Sequence, residues 1–310
     1  MGKIAFLYPG QGSQYLGMGK ELYENFPEAR KVFDQADQVL GKPLREICFN
    51  GPEPVLKDTR NAQPAILTTS VAVNQILKAA GVKPDFVAGH SLGEYSALVA
   101  AQAISFASAL KLVAERSRLM AEADPNHNGT MAAIIGLNRS VLADCLQTAS
   151  HLGAVEAANF NCPGQIVISG TKTGVAKMEE LVAAKGGKFI PLAVSGPFHS
   201  SFMKVAAERF RPVLEQTEWQ QPEVTIIANV NARPVSKEAI VDSLYRQLFS
   251  SVLWEDTLNY LSGCGVNLFL EVGPGRVLSG LVKKTLKGVK VYNCEDLESV
   301  KKALAILKEV

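Results

Sequence analysis

The sequence predicts an α/β protein: a doubly wound large domain interrupted by a small ferredoxin-like one. Two observations carry this. Short apolar runs that stop at glycine turns alternate with helical stretches over most of the 310 residues, the pattern of a parallel sheet covered by helices. Between 126 and 195 the order changes to βαββαβ, the ferredoxin-like unit. The expected division is therefore 1–125 with 196–310 as the large domain and 126–195 as the insertion. A cleft is expected where the two meet.

The elements follow in order. Lys3-Ile-Ala-Phe-Leu-Tyr8 is an apolar run broken by Pro9-Gly-Gln-Gly-Ser13, a strand entering a Gly-rich loop. Residues 61–80 carry Ile66, Val73, Ile76 and Leu77 at helical spacing, and Gly81 closes the pattern. Asp85-Phe-Val-Ala-Gly89 reads as a strand, followed by a long apolar helix from about Gly93 and a further helix over 108–120. Inside the insertion, strands are expected at 130–135, 155–160, 165–169 and 188–194, with helices at 140–149 and 175–184. Beyond it, Met203, Ala206, Ala207, Phe210 and Leu214 form one face of a helix starting near Ser200. A strand over 267–272 then ends in Gly273-Pro-Gly275 before another helix.

Composition narrows the function classes. A hydrophobic share of 47% with 20% charged residues belongs to a globular chain. A formal net charge of +2 argues against nucleic-acid or anionic-membrane partners. The cysteines at 48, 145, 162, 264 and 294 form no Cys-x-x-Cys pair and have no His at metal-ligand spacing, so free thiols in a reducing compartment and no metal site are expected. Met1-Gly-Lys-Ile-Ala-Phe6 lacks the h-region of a signal peptide, and a cytoplasmic enzyme is the expectation.

The sharpest motif is Gly89-His90-Ser91-Leu92-Gly93, a Gly-x-Ser-x-Gly between a predicted strand and a predicted helix. A strand that turns sharply into a helix needs glycines beside the serine. The turn lifts the Ser91 hydroxyl into a cleft over the positive end of a helix, with the Leu92 N–H pointing where an oxyanion forms. A serine nucleophile needs a base. Of the four histidines, His127 and His151 fall in a turn and near a helix end of the insertion, and His90 adjoins Ser91 and suits packing. His199 remains, at a predicted helix start that would keep its ring neutral.

Arg116 shares the apolar stripe of the 108–120 helix with Ala109, Leu112, Val113, Leu119 and Met120. A buried guanidinium needs an anion, either a structural carboxylate of the fold or a carboxylate of the substrate. Nucleotide binding is a poor match: Tyr15 replaces the third glycine of the fingerprint after Gly10 and Gly12, and Gly273-Pro-Gly275 fails at the same place.

Together these residues resemble the malonyl-CoA:acyl carrier protein transacylases, over nearly the whole chain. The landmarks are Pro9-Gly-Gln-Gly-Ser-Gln14, Gln63-Pro-Ala65, Gly89-His-Ser-Leu-Gly-Glu-Tyr-Ser96, Arg116, Asn159-Phe-Asn-Cys-Pro-Gly-Gln165, Gly196-Pro-Phe-His199, Gln247-Leu248 and Glu271-Val-Gly-Pro-Gly275. Polyketide-synthase acyltransferase domains share the pattern and are the nearest alternative; a serine thioesterase or hydrolase using the same pair is another. The resemblance implies an α/β-hydrolase-like large domain with an inserted ferredoxin-like small domain. It further implies that Ser91 and His199 are catalytic and that the backbone N–H groups of Gln11 and Leu92 form an oxyanion hole. Arg116 would hold the malonyl carboxylate, the backbone carbonyl of Gln247 would orient His199, and Phe198 would crowd the acyl α-carbon and favour malonyl over methylmalonyl. The partners implied are malonyl-CoA as substrate and acyl carrier protein as acceptor, with no cofactor.

Overall fold

A computed structural model describes residues 2–194 and 196–307. Of the expected domain limits, 1, 195 and 310 lie outside the described residues. The strands, in chain order, are β1 (Lys3–Tyr8), β2 (Phe86–Gly89), β3 (Gly129–Ile135), β4 (Val155–Cys162), β5 (Gln165–Thr171), β6 (Lys188–Pro191), β7 (Thr225–Ile227), β8 (Val266–Val272) and β9 (Lys290–Cys294).

They form two sheets. One has the order β7-β2-β1-β8-β9 and pairs in parallel throughout. The last four residues of β1 are fully buried, as a central parallel strand covered on both faces requires. The chain moves outward from β1 to β2 and β7 on one side and to β8 and β9 on the other. The crevice beyond the carboxyl ends of β1, β2 and β8 is therefore a topological switch point, where α/β sheets bind ligands. The second sheet has the order β4-β5-β3-β6 and pairs antiparallel. With helices Arg139–Ser150 and Lys172–Ala184 it makes the ferredoxin-like unit. Its β4 edge is laced to the large sheet's side of the molecule: Phe160 N–H donates to the Val252 carbonyl and Val252 N–H to that of Ala158, both at 2.9 Å.

Some elements differ from expectation. The helix from Gly93 is not long: it ends at Ala100, because Gln102 takes a left-handed φ of 59°, and the chain restarts at Ser105, which caps Phe106–Glu122 through the Ser108 N–H. The earlier helix spans Thr59–Ala79 and continues through Pro64. Proline there frees the carbonyl of Arg60 four residues back, and Lys42 Nζ donates to it at 3.3 Å, so the helix passes Gln63 unbroken. The strand expected to 194 stops at Pro191. No helix of the described residues is long and apolar enough to cross a membrane.

Candidate active site

The β2 strand must fold back on itself within four residues to start the helix Gly93–Ala100. Glycine is compulsory at both ends. A Cβ on Gly89 would lie 1.9 Å from the Gly93 carbonyl carbon, and one on Gly93 would lie 2.0 Å from the Tyr8 carbonyl oxygen. Between them Ser91 adopts φ 52°, a left-handed conformation that costs an L-residue about 1–2 kcal/mol. Asn229, just beyond β7, holds the bend closed: its Oδ1 accepts the Ser91 N–H at 2.7 Å and its Nδ2 donates to the Gly89 carbonyl at 2.7 Å.

His199 arrives from the far side of the insertion. Its Nε2 lies 2.7 Å from Ser91 Oγ and its Nδ1 lies 2.9 Å from the Gln247 carbonyl oxygen. A carbonyl can only accept, so Nδ1 carries the hydrogen and Nε2 presents its lone pair to the Ser91 hydroxyl. The ring is neutral, though not for the reason the sequence suggested. His199 has φ 56° in the turn before a short 3₁₀ segment, Ser201–Met203, rather than opening an α-helix. Burial, reinforced by the nearby Arg116 charge, pushes its pKa down to about 3.

Arg116 is fully buried, yet reaches the same hydroxyl. Its Nη1 donates to Gln63 Oε1 at 2.6 Å, and its Nη2 donates to Gln247 Oε1 at 3.0 Å and to Ser91 Oγ at 3.1 Å. All three acceptors are neutral, and its Nε has no partner. The Tyr95 ring lies under the guanidinium, centroid to Cζ 5.5 Å. The carboxylate of Glu94 approaches only through Gln247, whose Nε2 donates to Glu94 Oε2 at 2.7 Å and to the Ser91 carbonyl at 3.0 Å. Glu94 Oε2 also accepts the Asn229 N–H at 3.0 Å. Burial pushes the Glu94 carboxyl up to about 7 against the pull of those two hydrogen bonds and of Arg116.

These groups open into a cavity of about 520 Å³ between the two sheets. Ser91, His199, Arg116, Gln11, Leu92 and Phe198 all line it, with Met131, Asn161 and Val167 contributed by the small sheet. Phe198 is only 6% exposed, its ring forming wall next to His199. Gln11 is pinned by its side chain, whose Nε2 donates to Thr59 Oγ1 at 2.9 Å. His90 turns away from Ser91, bonding Asn161 Oδ1 through Nε2 at 2.9 Å and packing edge-on against Trp254. His127 and His151 are exposed. The sequence reading did not single out Asn229, Glu94 or the Gln63 side chain as site residues. Glu94 and Gln63 lie within motifs it quoted, but Asn229 follows the three-residue strand β7, too short to register as a run. No group of three or more His, Cys, Asp or Glu side chains among the described residues is arranged to hold a metal ion.

Residues 5–303 match the acyl transferase domain family. The chain is 49% identical over 312 residues to a malonyl CoA-acyl carrier protein transacylase of Bacillus subtilis (strain 168), an alignment covering 100% of this chain and 98% of the relative. Among solved structures it superimposes on the malonyl CoA-acyl carrier protein transacylase of Clostridium perfringens with a TM-score of 0.96 at 40% identity, covering 99% of this chain and 98% of that one. A malonyl-transacylase solved in complex with a type II polyketide-synthase acyl carrier protein superimposes equally well, with a TM-score of 0.96, 40% identity and coverage of 98% and 99%. A serine on a strained bend, an imidazole within bonding distance of it and a match running from the first strand to the last helix agree with one another: the chain belongs to the acyl transferase family.

Proposed function

We propose that this protein moves a malonyl group from coenzyme A to the phosphopantetheine thiol of an acyl carrier protein, by way of an ester on Ser91. Arg116 carries the reading: a buried guanidinium inside the cavity, 3.1 Å from the Ser91 hydroxyl and bonded only to neutral oxygens, is a ready seat for a carboxylate. A buried charge that no carboxylate bonds directly is costly, Glu94 acting on it only at a distance, and the free carboxylate of a malonyl group would supply a contacting anion close to the thioester carbonyl. The names of the curated relatives support the same donor and acceptor.

In the proposed cycle, Ser91 Oγ attacks the thioester carbon while its proton passes to His199 Nε2. The carbonyl oxygen becomes an oxyanion received by the backbone N–H groups of Gln11 and Leu92. Collapse breaks the carbon–sulfur bond, the coenzyme A sulfur leaves with the proton from His199, and the malonyl ester remains on Ser91. The carrier thiol then repeats the sequence in reverse: His199 takes the thiol proton, sulfur attacks the ester, and the proton returns to Ser91 Oγ. Gln247 holds the base through its main-chain carbonyl, and Phe198 shapes the space beside the acyl α-carbon. We further infer that 126–195 is a discrete inserted domain and that the enzyme works in the cytoplasm without a cofactor.

The test mixes wild-type protein and Ser91→Ala with malonyl-CoA, then adds carrier protein of fatty-acid or polyketide origin. Intact mass should show a malonyl adduct on Ser91 that the carrier clears, and none on Ser91→Ala. An adduct surviving in the variant, or malonate released as fast without carrier as malonyl-carrier forms with it, would replace this reading by another nucleophile or by a hydrolase.

A further inference from the structure

We propose that Glu94 is a positioning residue for this chemistry: one buried carboxylate oxygen sets, through Gln247 and Asn229, both the guanidinium of Arg116 and the bend that carries Ser91. The inference rests on the function proposed above. Glu94 stands in the first turn of the helix Gly93–Ala100, where an acidic residue ordinarily faces solvent and the helix's free N–H groups. Here it is only 1% exposed, and its Oε2 bonds partners 135 and 153 residues away instead.

The side-chain amide of Gln247 has two ends of opposite character, and its surroundings sort them. Nε2 donates to the Ser91 carbonyl and to Glu94 Oε2, both of which can only accept at this contact. Oε1 is thereby left to accept from Arg116 Nη2. Turned over, the amide would set its oxygen against two oxygens and its hydrogens against the guanidinium. Glu94 supplies the shorter of the two bonds that forbid this. Arg116 is thus aimed partly by a carboxylate it does not pair with.

The second arm is Asn229. Glu94 Oε2 fixes its backbone N–H, and its side chain in turn fastens both flanks of the left-handed Ser91, at the Gly89 carbonyl and the Ser91 N–H. A strained conformation persists only where neighbours over-determine it, and these bonds do so. Because both arms converge on a single oxygen, removing the acceptor loosens the nucleophile and the carboxylate seat together.

The experiment measures Ser91 acylation from malonyl-CoA and acetyl-CoA by quenched intact mass, for wild type, Glu94→Gln, Glu94→Asp, Glu94→Met, Gln247→Met and the Glu94→Met/Gln247→Met double variant. Glu94→Gln keeps an oxygen able to accept both bonds and should stay within about threefold of wild type, since loss of charge alone leaves no donor orphaned. Glu94→Met orphans two buried donors and should slow malonylation by about tenfold to a hundredfold, with a smaller loss on acetyl-CoA, so that the preference for malonyl falls. Glu94→Asp withdraws the oxygen by one methylene and should shift the preference the same way, which keeps the test alive if the Met variant does not fold. In the Gln247→Met background, Glu94→Met should slow both donors alike through the remaining Asn229 arm, with less than about threefold further change in the malonyl preference, because the arm to Arg116 is already cut. Equal losses on both donors from Glu94→Met alone, a further fall in malonyl preference when Glu94→Met is added to Gln247→Met, or a wild-type malonyl preference in Glu94→Asp would each overturn the proposal. If wild type itself shows no Ser91 adduct, the parent reading fails; an adduct in wild type with indifferent Glu94 variants sinks the positioning role alone.

Discussion

Replacing Arg116 with alanine separates a substrate-binding guanidinium from a structural one. The side chain donates three hydrogen bonds, two of them to the Oε1 atoms of Gln63 and Gln247. Truncation leaves those acceptors buried, at about 1–3 kcal/mol each, but also removes a charge bonded to no anion, so the two stability effects oppose each other. No such offset exists for a malonyl donor, whose carboxylate would enter the cavity without a counter-charge. Breaking a buried charge pair costs about 2–5 kcal/mol, which is about 30- to 5,000-fold in kcat/KM for malonyl-CoA. Acetyl-CoA has no carboxylate and loses only the 3.1 Å bond from Nη2 to Ser91 Oγ, so its kcat/KM should fall by less than about tenfold. The assay compares both donors on Arg116→Ala at matched concentrations of folded protein. Equal losses on the two would refute the reasoning and return Arg116 to the core as packing.

Two substitutions and a set of pH profiles give the other expected outcomes. His199→Ala removes the acceptor 2.7 Å from Ser91 Oγ and should slow adduct formation by about 10²–10⁴, measured by rapid quench; a near-normal rate would remove the base role. Phe198→Ser opens the cavity wall next to His199 and, on the role proposed for Phe198, should raise methylmalonyl-CoA relative to malonyl-CoA by about tenfold or more, checked by side-by-side kcat/KM; an unchanged ratio would place the discrimination elsewhere. Because burial and Arg116 hold His199 near 3, its base form persists well below the ordinary histidine range, and acylation should show no His-like inflection near pH 6.5. The same depression has a stability sign: below about 6.5 the unfolded chain takes up a proton that the native ring refuses, so this contribution is whole above that pH and is lost as pH falls towards 3. Glu94, raised to about 7, acts oppositely, its contribution being whole below about 4.5 and lost as pH rises through 7. Paired pH profiles of acylation and of thermal unfolding check both, and a step at 6.5 in the acylation profile that persists in Glu94→Gln would contradict the burial argument.

What could be read from the sequence was what repeats or punctuates. The parallel sheet is legible because β1, β2 and β8 are apolar runs ending at glycines, and the ferredoxin-like order because its strands and helices alternate at regular lengths. Ser91 is legible because its bend leaves room only for glycine at 89 and 93. His199 needed elimination among four, and Gln11 and Gln247 came only through resemblance, since both are implicated by backbone atoms, which any residue supplies. Asn229 and Glu94 were silent for another reason. Their work is done by contacts across 135 to 140 residues of chain, and no local spacing encodes a partner that distant. The helix from Gly93 was overestimated because its apolar stretch runs on past Ala100, while the left-handed Gln102 that ends it is not a residue type that advertises a turn.

The arrangement also explains how a serine and a histidine can suffice without an acidic third member. Such an acid ordinarily selects the tautomer and steadies the imidazolium as it forms. Here the Gln247 carbonyl selects the tautomer at 2.9 Å, and it does so without placing a negative charge that would raise the resting pKa of the ring. Burial and then Arg116 oppose imidazolium, against the smaller upward pull of the Gln247 hydrogen bond, which is unfavourable for a base. The effect of Arg116 on the serine is opposite: the same Nη2 that disfavours a protonated His199 ring donates to Ser91 Oγ and favours the oxygen as negative charge develops on it. On the role proposed for Arg116, a malonyl carboxylate would neutralise the guanidinium and relieve the electrostatic penalty on His199 at the moment a substrate is present to use the proton transfer. An acyl donor without a carboxylate would leave Arg116 with only the distant Glu94 to offset it, and the imidazolium opposed. Selectivity for malonyl would then reside partly in the basicity of His199 rather than wholly in contact energy, and Arg116→Ala should accordingly raise the pKa of His199, with burial still holding it below the ordinary range.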